Sequence, residues 1–360
     1  MKKNITPVSE IPELTIGLDL SDRTAQYCEL DAAGRMLGEG QIQLNHTALR
    51  RYLSGKPTGA RVALETGGQS AWVRELIEAT GHEAVVAHAR DLEAVTGRSH
   101  RSDRHDARQL ARLARVDAGL LHPVELRRSA EQADLFVIRA RAALVEARTR
   151  LINLARGAAK TLGCRFPSTA SHCFAERARA AVPEALEAAL LPLLNVLEQI
   201  ATEIVGYDEK IEALAQDRYP ETRWLQQVPG VGTLTALTFV LTVAAPDRFA
   251  HSRDVGPFLG LVPRRRQSGE QDPHLRITKC GDGYLRKLLV QCAHVVMGRF
   301  GPDSALRRWA LQHAQHSRTA KKRTVVAVAR KLAVLLHRLW RRQEVFQSFP
   351  MAVAELATMA

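Results

Sequence analysis

Two aspartates three residues apart, Asp103 and Asp106, stand in the basic stretch SHRSDRHDARQLARL, residues 99–113. In a helix that spacing puts both carboxylates on one face. Arg98, Arg101, Arg104, Arg108 and Arg112 surround them. Paired carboxylates in a field of guanidiniums suit one task, holding a divalent cation beside a polyanion. The competing reading is a solvated helix laced with i,i+4 ion pairs. Two more acids bear on the choice. Asp19 comes near the end of the apolar run 14–20, and Glu65 follows the run 61–64. Four carboxylates converging on one point are costly alone, because like charges raise each other's pKa. With two Mg²⁺ ions the same four become a phosphodiester-cleaving site. Taken by itself Asp19 is equally a strand-end turn residue, and its neighbour Asp22 could be the ligand instead.

Positioning these acids takes a sheet and a helix. Residues 14–20, 24–30 and 36–44 read as three strands, the last two joined through the turn Asp31-Ala-Ala-Gly34. A helix over 47–53, a strand over 61–64, a helix over 70–79 and a strand over 83–87 follow. The basic helix covers 102–117. Three antiparallel strands and then alternating β and α is the order of a ribonuclease-H-like α/β domain. In such a mixed sheet the ends bearing Asp19 and Glu65 can lie side by side, with the basic helix packed across them.

Beyond residue 125 the pattern turns helical. Leu135, Ile138, Ala142, Val145, Thr149 and Ile152 keep a 3,4 spacing, as do Leu193, Leu197, Ile200, Ile204, Tyr207, Ile211 and Leu214. A break near 163–172 separates them, and Pro183 and Pro192 limit where the second helix begins. The pair reads as an antiparallel coiled-coil arm, or as two core helices of a bundle. After Tyr219-Pro220, the segment Val228-Pro-Gly-Val-Gly232 opens an apolar helix. This is a helix-hairpin-helix-like pattern, in which Gly230 and Gly232 let backbone amides approach phosphate; a plain tight turn is the alternative.

Residues 251–300 hold nine Lys or Arg against four acids. Arg264, Arg265 and Arg266 precede Gln267-Ser268-Gly269, and Arg276 and Lys279 follow. Such a cluster binds phosphate and stabilises charge developing on it. On local grounds Ser268 is a turn residue, with His274 a weak candidate base. Residues 301–343 carry eleven Lys or Arg and one acid, Asp303. The segment 324–340 reads as an amphipathic helix that packs on the core with a phosphate-facing basic side, rather than on a membrane surface.

The totals agree with a polyanionic partner. Net charge is +13 over 360 residues, and hydrophobic residues make up 46%, enough for more than one core. Aromatics at 5% disfavour base stacking on an aromatic platform. No N-terminal apolar leader and no apolar run of membrane-spanning length is expected, so the protein is predicted to be cytoplasmic, nucleoid-associated and without a membrane partner. Five cysteines without CxxC pairing read as reduced, mostly buried thiols. A zinc site at Cys164, His172 and Cys173 lacks a second ligand pair.

The ordered motifs resemble the DEDD transposases of the insertion sequence 110 family, the bridge-RNA-guided recombinases. They are Ile16-Gly-Leu-Asp19, Leu64-Glu65, Ser102-Asp103-Arg-His-Asp106-Ala-Arg108, Val228-Pro-Gly-Val-Gly232, Gly260-Leu-Val-Pro263 with Gln267-Ser268-Gly269, Ile277-Thr-Lys-Cys-Gly281 with Tyr284-Leu-Arg-Lys-Leu288, and Val328-Ala-Arg-Lys-Leu332. They run in order from about residue 14 to 340. The resemblance implies a RuvC-like domain over 1–120, coiled-coil helices over 121–218, a mainly helical transposase domain over 219–345 and a tail over 346–360. It implies that Asp19, Glu65, Asp103 and Asp106 hold Mg²⁺ and that Ser268 is a nucleophile forming a covalent link to DNA. It further implies donor and target DNA, a structured noncoding guide RNA and a homo-oligomer, dimer or tetramer. Two other readings stand beside it: a metal-dependent nuclease or junction resolvase with no covalent intermediate, and a noncatalytic nucleic-acid-binding protein.

Overall fold

The computed structural model describes residues 11–88, 102–267, 273, 275–315 and 317–349. The chain divides into two compact units, Met1–Gln132 and Ala133–Ala360.

The first unit is built on a five-stranded mixed sheet in the order β3-β2-β1-β4-β5. Its strands are β1 (Leu14–Leu20), β2 (Thr24–Asp31), β3 (Met36–Gln43), β4 (Arg61–Glu65) and β5 (Glu83–Ala87). β1 to β3 run antiparallel, while β4 is parallel to β1 and β5 to β4. The β2–β3 turn closes on Gly34, whose φ of 81° is the left-handed conformation a glycine adopts without strain. Residues alternate faces along each strand. Ile16, Leu18, Val62 and Leu64 pack with Leu49 and Leu53 of α1 (His46–Ser54) and Val73 and Ile77 of α2 (Ser70–Ala79). Ala63, Val85 and Ala87 pack with Leu110 and Ala114 of α3 (Asp103–Val116), and Cys28 and Leu30 with Ala107 and Ala111 of the same helix. The predicted α/β order of this part is what is observed.

The second unit is helical. Its two longest helices are α4 (Ser129–Thr161), which begins just before the boundary, and α6 (Glu187–Asp217); α5 (Phe174–Arg179) lies between them in sequence. Leu135 and Ile138 share a core cluster with Ile211 and Ala215, and Ile152 and Ala155 share one with Leu190, Leu194 and Leu197. The early part of α4 therefore meets the late part of α6, an antiparallel pair. The ion pair of Arg141 with Asp208 spans the middle, and the buried Asp134 accepts from Arg218 at 2.8 Å and from the Tyr219 hydroxyl at 2.6 Å. Pro192 falls inside α6 rather than before it. As the sixth residue it lies past the unpaired first-turn amides, so it removes one bond from the ladder, the one to the Ala188 carbonyl. The expectation that no apolar run reaches membrane-spanning length needs correction: by length and composition alone, the segment Glu184–Asp217 is long and apolar enough. Its leucines, isoleucines and alanines serve a pairing face and exposed positions together, which raises the mean without forming one uniform surface.

The remaining helices are α7 (Thr222–Gln226), α8 (Thr233–Val243), α9 (Val255–Phe258), α10 (Gly283–Met297), α11 (Ala305–Ala314) and α12 (Arg318–Arg342). From Thr235 to its end α8 is buried on every side, as its nearly all-apolar sequence demands. Val328, Leu332, Leu336 and Leu339 of α12 join Leu285 and Leu289 of α10 in the same core. His337 is fully buried in α12. Its Nε2 donates to the Pro246 carbonyl at 2.8 Å, so its Nδ1 accepts from the Ser252 hydroxyl at 2.9 Å. Burial holds its pKa below the usual imidazole value. Phe346 and Ser348, expected in a tail, are fastened: Phe346 donates its amide to Gln227 at 2.9 Å, and the Ser348 carbonyl accepts from Ala305 at 2.9 Å. The five cysteines are free, Cys28 and Cys292 buried and the other three only partly so.

Candidate active site

The acids are positioned by the way α3 lies on the sheet. Parallel pairing of β1 with β4 runs through Leu18 and Leu64, which leaves Asp19 and Glu65 as the next residue of each strand. By alternation both point to the face that α3 covers, since Gly17 and Ala63 do. Gly17 makes the close approach possible. A Cβ there would stand 2.0 Å from the Ala107 carbonyl oxygen and 2.6 Å from the Ala111 nitrogen. Asp103 continues the Ala107–Ala111 stripe by one turn, and Asp106 continues the Leu110–Ala114 stripe. The packing that seats α3 therefore carries both aspartates over the strand ends.

Both ends of α3 are fixed. Ser102 is the N-cap, its hydroxyl accepting from the His105 amide at 3.3 Å. At the other end the buried Arg61 reaches the Ala114 carbonyl at 3.0 Å and pairs with Glu83 at 2.7 Å. Arg115 bonds the Ala32 carbonyl in the β2–β3 turn at 3.0 Å. Asp103 and Asp106 occupy the first turn, where the positive end of the helix dipole favours negative charge.

Asp19 feels the other three acids. The Asp19 carboxyl is pushed up from 3.8 to about 6, first by burial, then by the charges of Asp103, Asp106 and Glu65. Among the described residues, no three His, Cys, Asp or Glu side chains stand close enough together to hold a metal ion. The quartet is thus gathered within electrostatic reach but not closed to ligating distance, and the Cys164, His172 and Cys173 grouping is likewise not assembled as a site. The donor chemistry fits a hard divalent cation, being all carboxylate oxygen. A second observation points the same way. Gln26 pairs directly with Asp19 across β1 and β2, and its buried Oε1 has no hydrogen-bond partner. Sequence reasoning missed Gln26; its place opposite Asp19 follows only once β1 and β2 are paired in register.

The basic residues divide. Arg104 is exposed at the start of α3. Arg108 is committed to Glu39 of β3 through a two-pronged pair, 2.8 and 2.9 Å. Its guanidinium fastens α3 to the sheet.

In the second unit, Ser268 and His274 lie outside the described residues, as do Arg98 and Arg101 of the first. The stem that bears the serine loop is described. Pro263 and Ile277 form an antiparallel bridge, with Arg264 donating to the Arg276 carbonyl at 3.0 Å and Thr278 to the Val262 carbonyl at 2.9 Å. Gly260, at φ 64°, passes so near that a Cβ would lie 2.4 Å from the Cys280 nitrogen. Arg286 of α10 donates to the carbonyls of Leu259, Cys280 and Gly281. Arg264, Arg265, Arg266, Arg276 and Lys279 are all exposed around this stem. Val228 to Gly232 joins α7 to α8 as expected. Gly230 takes φ 86°, and Gly230 and Gly232 both face solvent.

Comparison with known proteins finds family matches in both parts of the chain. A family model described as "Transposase" matches residues 16–162, and one described as "Transposase IS116/IS110/IS902 family" matches residues 222–310. The chain is 27% identical to a transposase for insertion sequence element IS1111A of Coxiella burnetii, over 92% of this chain and 91% of that protein. It is 28% identical to a probable family 20 transposase of Pseudomonas aeruginosa, over 92% and 98%. It is 27% identical to a transposase for insertion sequence element IS1328 of Yersinia enterocolitica, over 90% and 96%.

Proposed function

Because this chain belongs to the IS116/IS110/IS902 family of transposases, we propose that it cleaves and joins DNA strands through two sets of residues, an acidic quartet and a serine. The gathering of Asp19, Glu65, Asp103 and Asp106 at one end of the sheet carries the reading, since each of the other three raises the Asp19 pKa. A carboxylate cluster that destabilises itself this way is suited to a cation. The sheet order supports the RuvC-like, ribonuclease-H-like reading of this unit.

The four carboxylates would hold Mg²⁺, which when bound supplies Lewis-acid polarisation of a phosphodiester. Gln26 stands beside Asp19 to orient what binds there. Ser268 Oγ is the nucleophile: its bond to phosphorus forms as a phosphorus–sugar oxygen bond breaks. The serine proton leaves as the sugar oxygen is protonated, so the phosphodiester count is conserved and the strand can be rejoined. Arg264, Arg265, Arg266, Arg276 and Lys279 neutralise phosphate around the serine loop, and Arg104 does so beside the acids. The Gly230 and Gly232 turn meets backbone phosphate through its amides. Donor and target sequences are chosen by a structured noncoding RNA rather than by the protein, which acts as a homo-oligomer, dimer or tetramer.

The experiment is to incubate the protein with guide RNA, both DNAs and Mg²⁺, quench in denaturant, and look for DNA linked to protein. Wild type yields the adduct and recombinant product. Ser268→Ala yields neither. Cleavage retained in Ser268→Ala without an adduct refutes the serine and leaves a water-using nuclease.

A further inference from the structure

Phe300 is the most exposed large hydrophobic residue described, 82% accessible, in a chain poor in aromatics. It stands in the tight turn Gly298-Arg299-Phe300-Gly301, closed by the Gly301 amide donating to the Gly298 carbonyl at 3.1 Å. Arg307 of α11 fastens this turn, reaching the Val296 carbonyl at 2.7 Å and the Gly298 carbonyl at 2.5 Å. Gly301 is packed so tightly that a Cβ would lie 2.4 Å from the Val296 carbonyl oxygen and 2.6 Å from the Arg307 guanidinium. The ring is therefore held out in water by a built turn. The Arg299 guanidinium rides over it, 4.4 Å from the ring centre.

The turn's neighbour is the glycine hairpin. Val295, itself 51% exposed, is the residue a Cβ on Gly230 would meet at 3.1 Å, and its carbonyl borders Gly301 on the other side. An exposed aromatic with a cation on its face thus sits near the turn bearing the exposed Gly230 and Gly232. The nearest acid in sequence, Asp303, is already paired with Arg308.

We propose that Phe300 is a wedge that enters the base stack of bound duplex DNA, with Arg299 on the adjoining phosphate and the Gly230–Gly232 hairpin fixing the backbone alongside. Apolar side chains inserted between base steps unstack and kink a duplex, a cost repaid by contacts that the bend brings in. Duplex DNA is favoured over a protein partner by the cation beside the ring and by the net charge of +13. The inference rests on the proposed function for the identity of the polymer and for the phosphate contact of the Gly230–Gly232 turn.

The test uses the full chain and duplexes carrying 2-aminopurine at successive steps, with binding followed by anisotropy and unstacking by fluorescence. Wild type brightens the probe at one step. Phe300→Ala binds about tenfold more weakly and loses the brightening, while Phe300→Trp restores both; unchanged thermal unfolding shows that the variants fold. Equal affinity and brightening in wild type and Phe300→Ala overturn the wedge and leave the proposed function standing. A Phe300→Ala change in self-association alone, with DNA behaviour untouched, overturns it in favour of a contact between copies. No DNA binding by wild type overturns both the proposed function and the wedge.

Discussion

Asp19 shows how one carboxyl can report a whole site. Burial and three neighbouring acids lift it to about 6. An unfolded chain gives it an ordinary value near 3.8, so the folded state binds its proton more tightly. Stability without metal therefore falls as pH rises from about 4 through about 6. Allowing for solvent around a half-exposed carboxyl, the loss attributable to Asp19 is about 1–2 kcal/mol. Denaturant unfolding in chelator at pH 4.5 and 7.5 measures it. The difference should shrink in Asp103→Asn and Asp106→Asn, and Mg²⁺ should recover stability at pH 7.5 in wild type but not in Asp19→Asn. An identical pH response in all three proteins would mean that the acids do not share a site. Arg108 teaches the converse: a basic residue in a basic helix reads as a phosphate contact, and the structure pairs it with Glu39 on a distant strand. Nothing in the local spacing of residues 99–113 points to residue 39.

Helix α3 is the element on which the acidic site depends, and its seat depends on Gly17. Gly17→Ala puts a methyl against the α3 backbone, 2.0 Å from the Ala107 oxygen, which the helix relieves only by lifting away. The expected cost is about 1–3 kcal/mol, accompanied by loss of metal-dependent cleavage because Asp103 and Asp106 move with the helix. Thermal unfolding and a cleavage assay on the same preparation test both halves; a stable, fully active variant would show that α3 does not position the aspartates. The strand and helix limits of the first unit followed closely from the alternating and 3,4 patterns, and the Asp31 to Gly34 turn from its residues. The glycine inside the first strand carried the information about α3, yet it is legible only once α3 is known to cross there. On α6, apolar residues shared between a pairing face and exposed positions give a segment long and apolar enough, by length and composition alone, to cross a bilayer, against the expectation from the sequence.

For the molecule as a whole, charge is the governing quantity. Exposed arginines and lysines surround the serine-loop stem and line α12, and few of the described acids answer them there. DNA binding should therefore be strongly salt-dependent, weakening by roughly 10³-fold between 50 and 200 mM salt if six or more phosphates are neutralised. Replacing Arg264, Arg265 and Arg266 together with alanine should flatten the slope as well as lower affinity. A salt slope unchanged by the triple substitution would remove this cluster from the DNA path. The two compact units separate the acids from the serine-loop stem along the chain, so the proposed chemistry draws on residues from both.

Periodicity, turn residues and charge settled much of this protein in advance. They set the strands and helices of the first unit, the antiparallel long helices, the glycine hairpin and the basic character, because each depends on near neighbours in the chain. The joining of Asp19 and Glu65 to the α3 aspartates was legible as a possibility, from strand ends and a face of a helix. Tertiary packing decided the rest. It alone gathered the acids within electrostatic reach and drew Arg108 into an ion pair with Glu39. It alone fixed Phe300 in open water next to the glycine hairpin. Each of these joins residues far apart in sequence, and only the closing of the core brings such residues together.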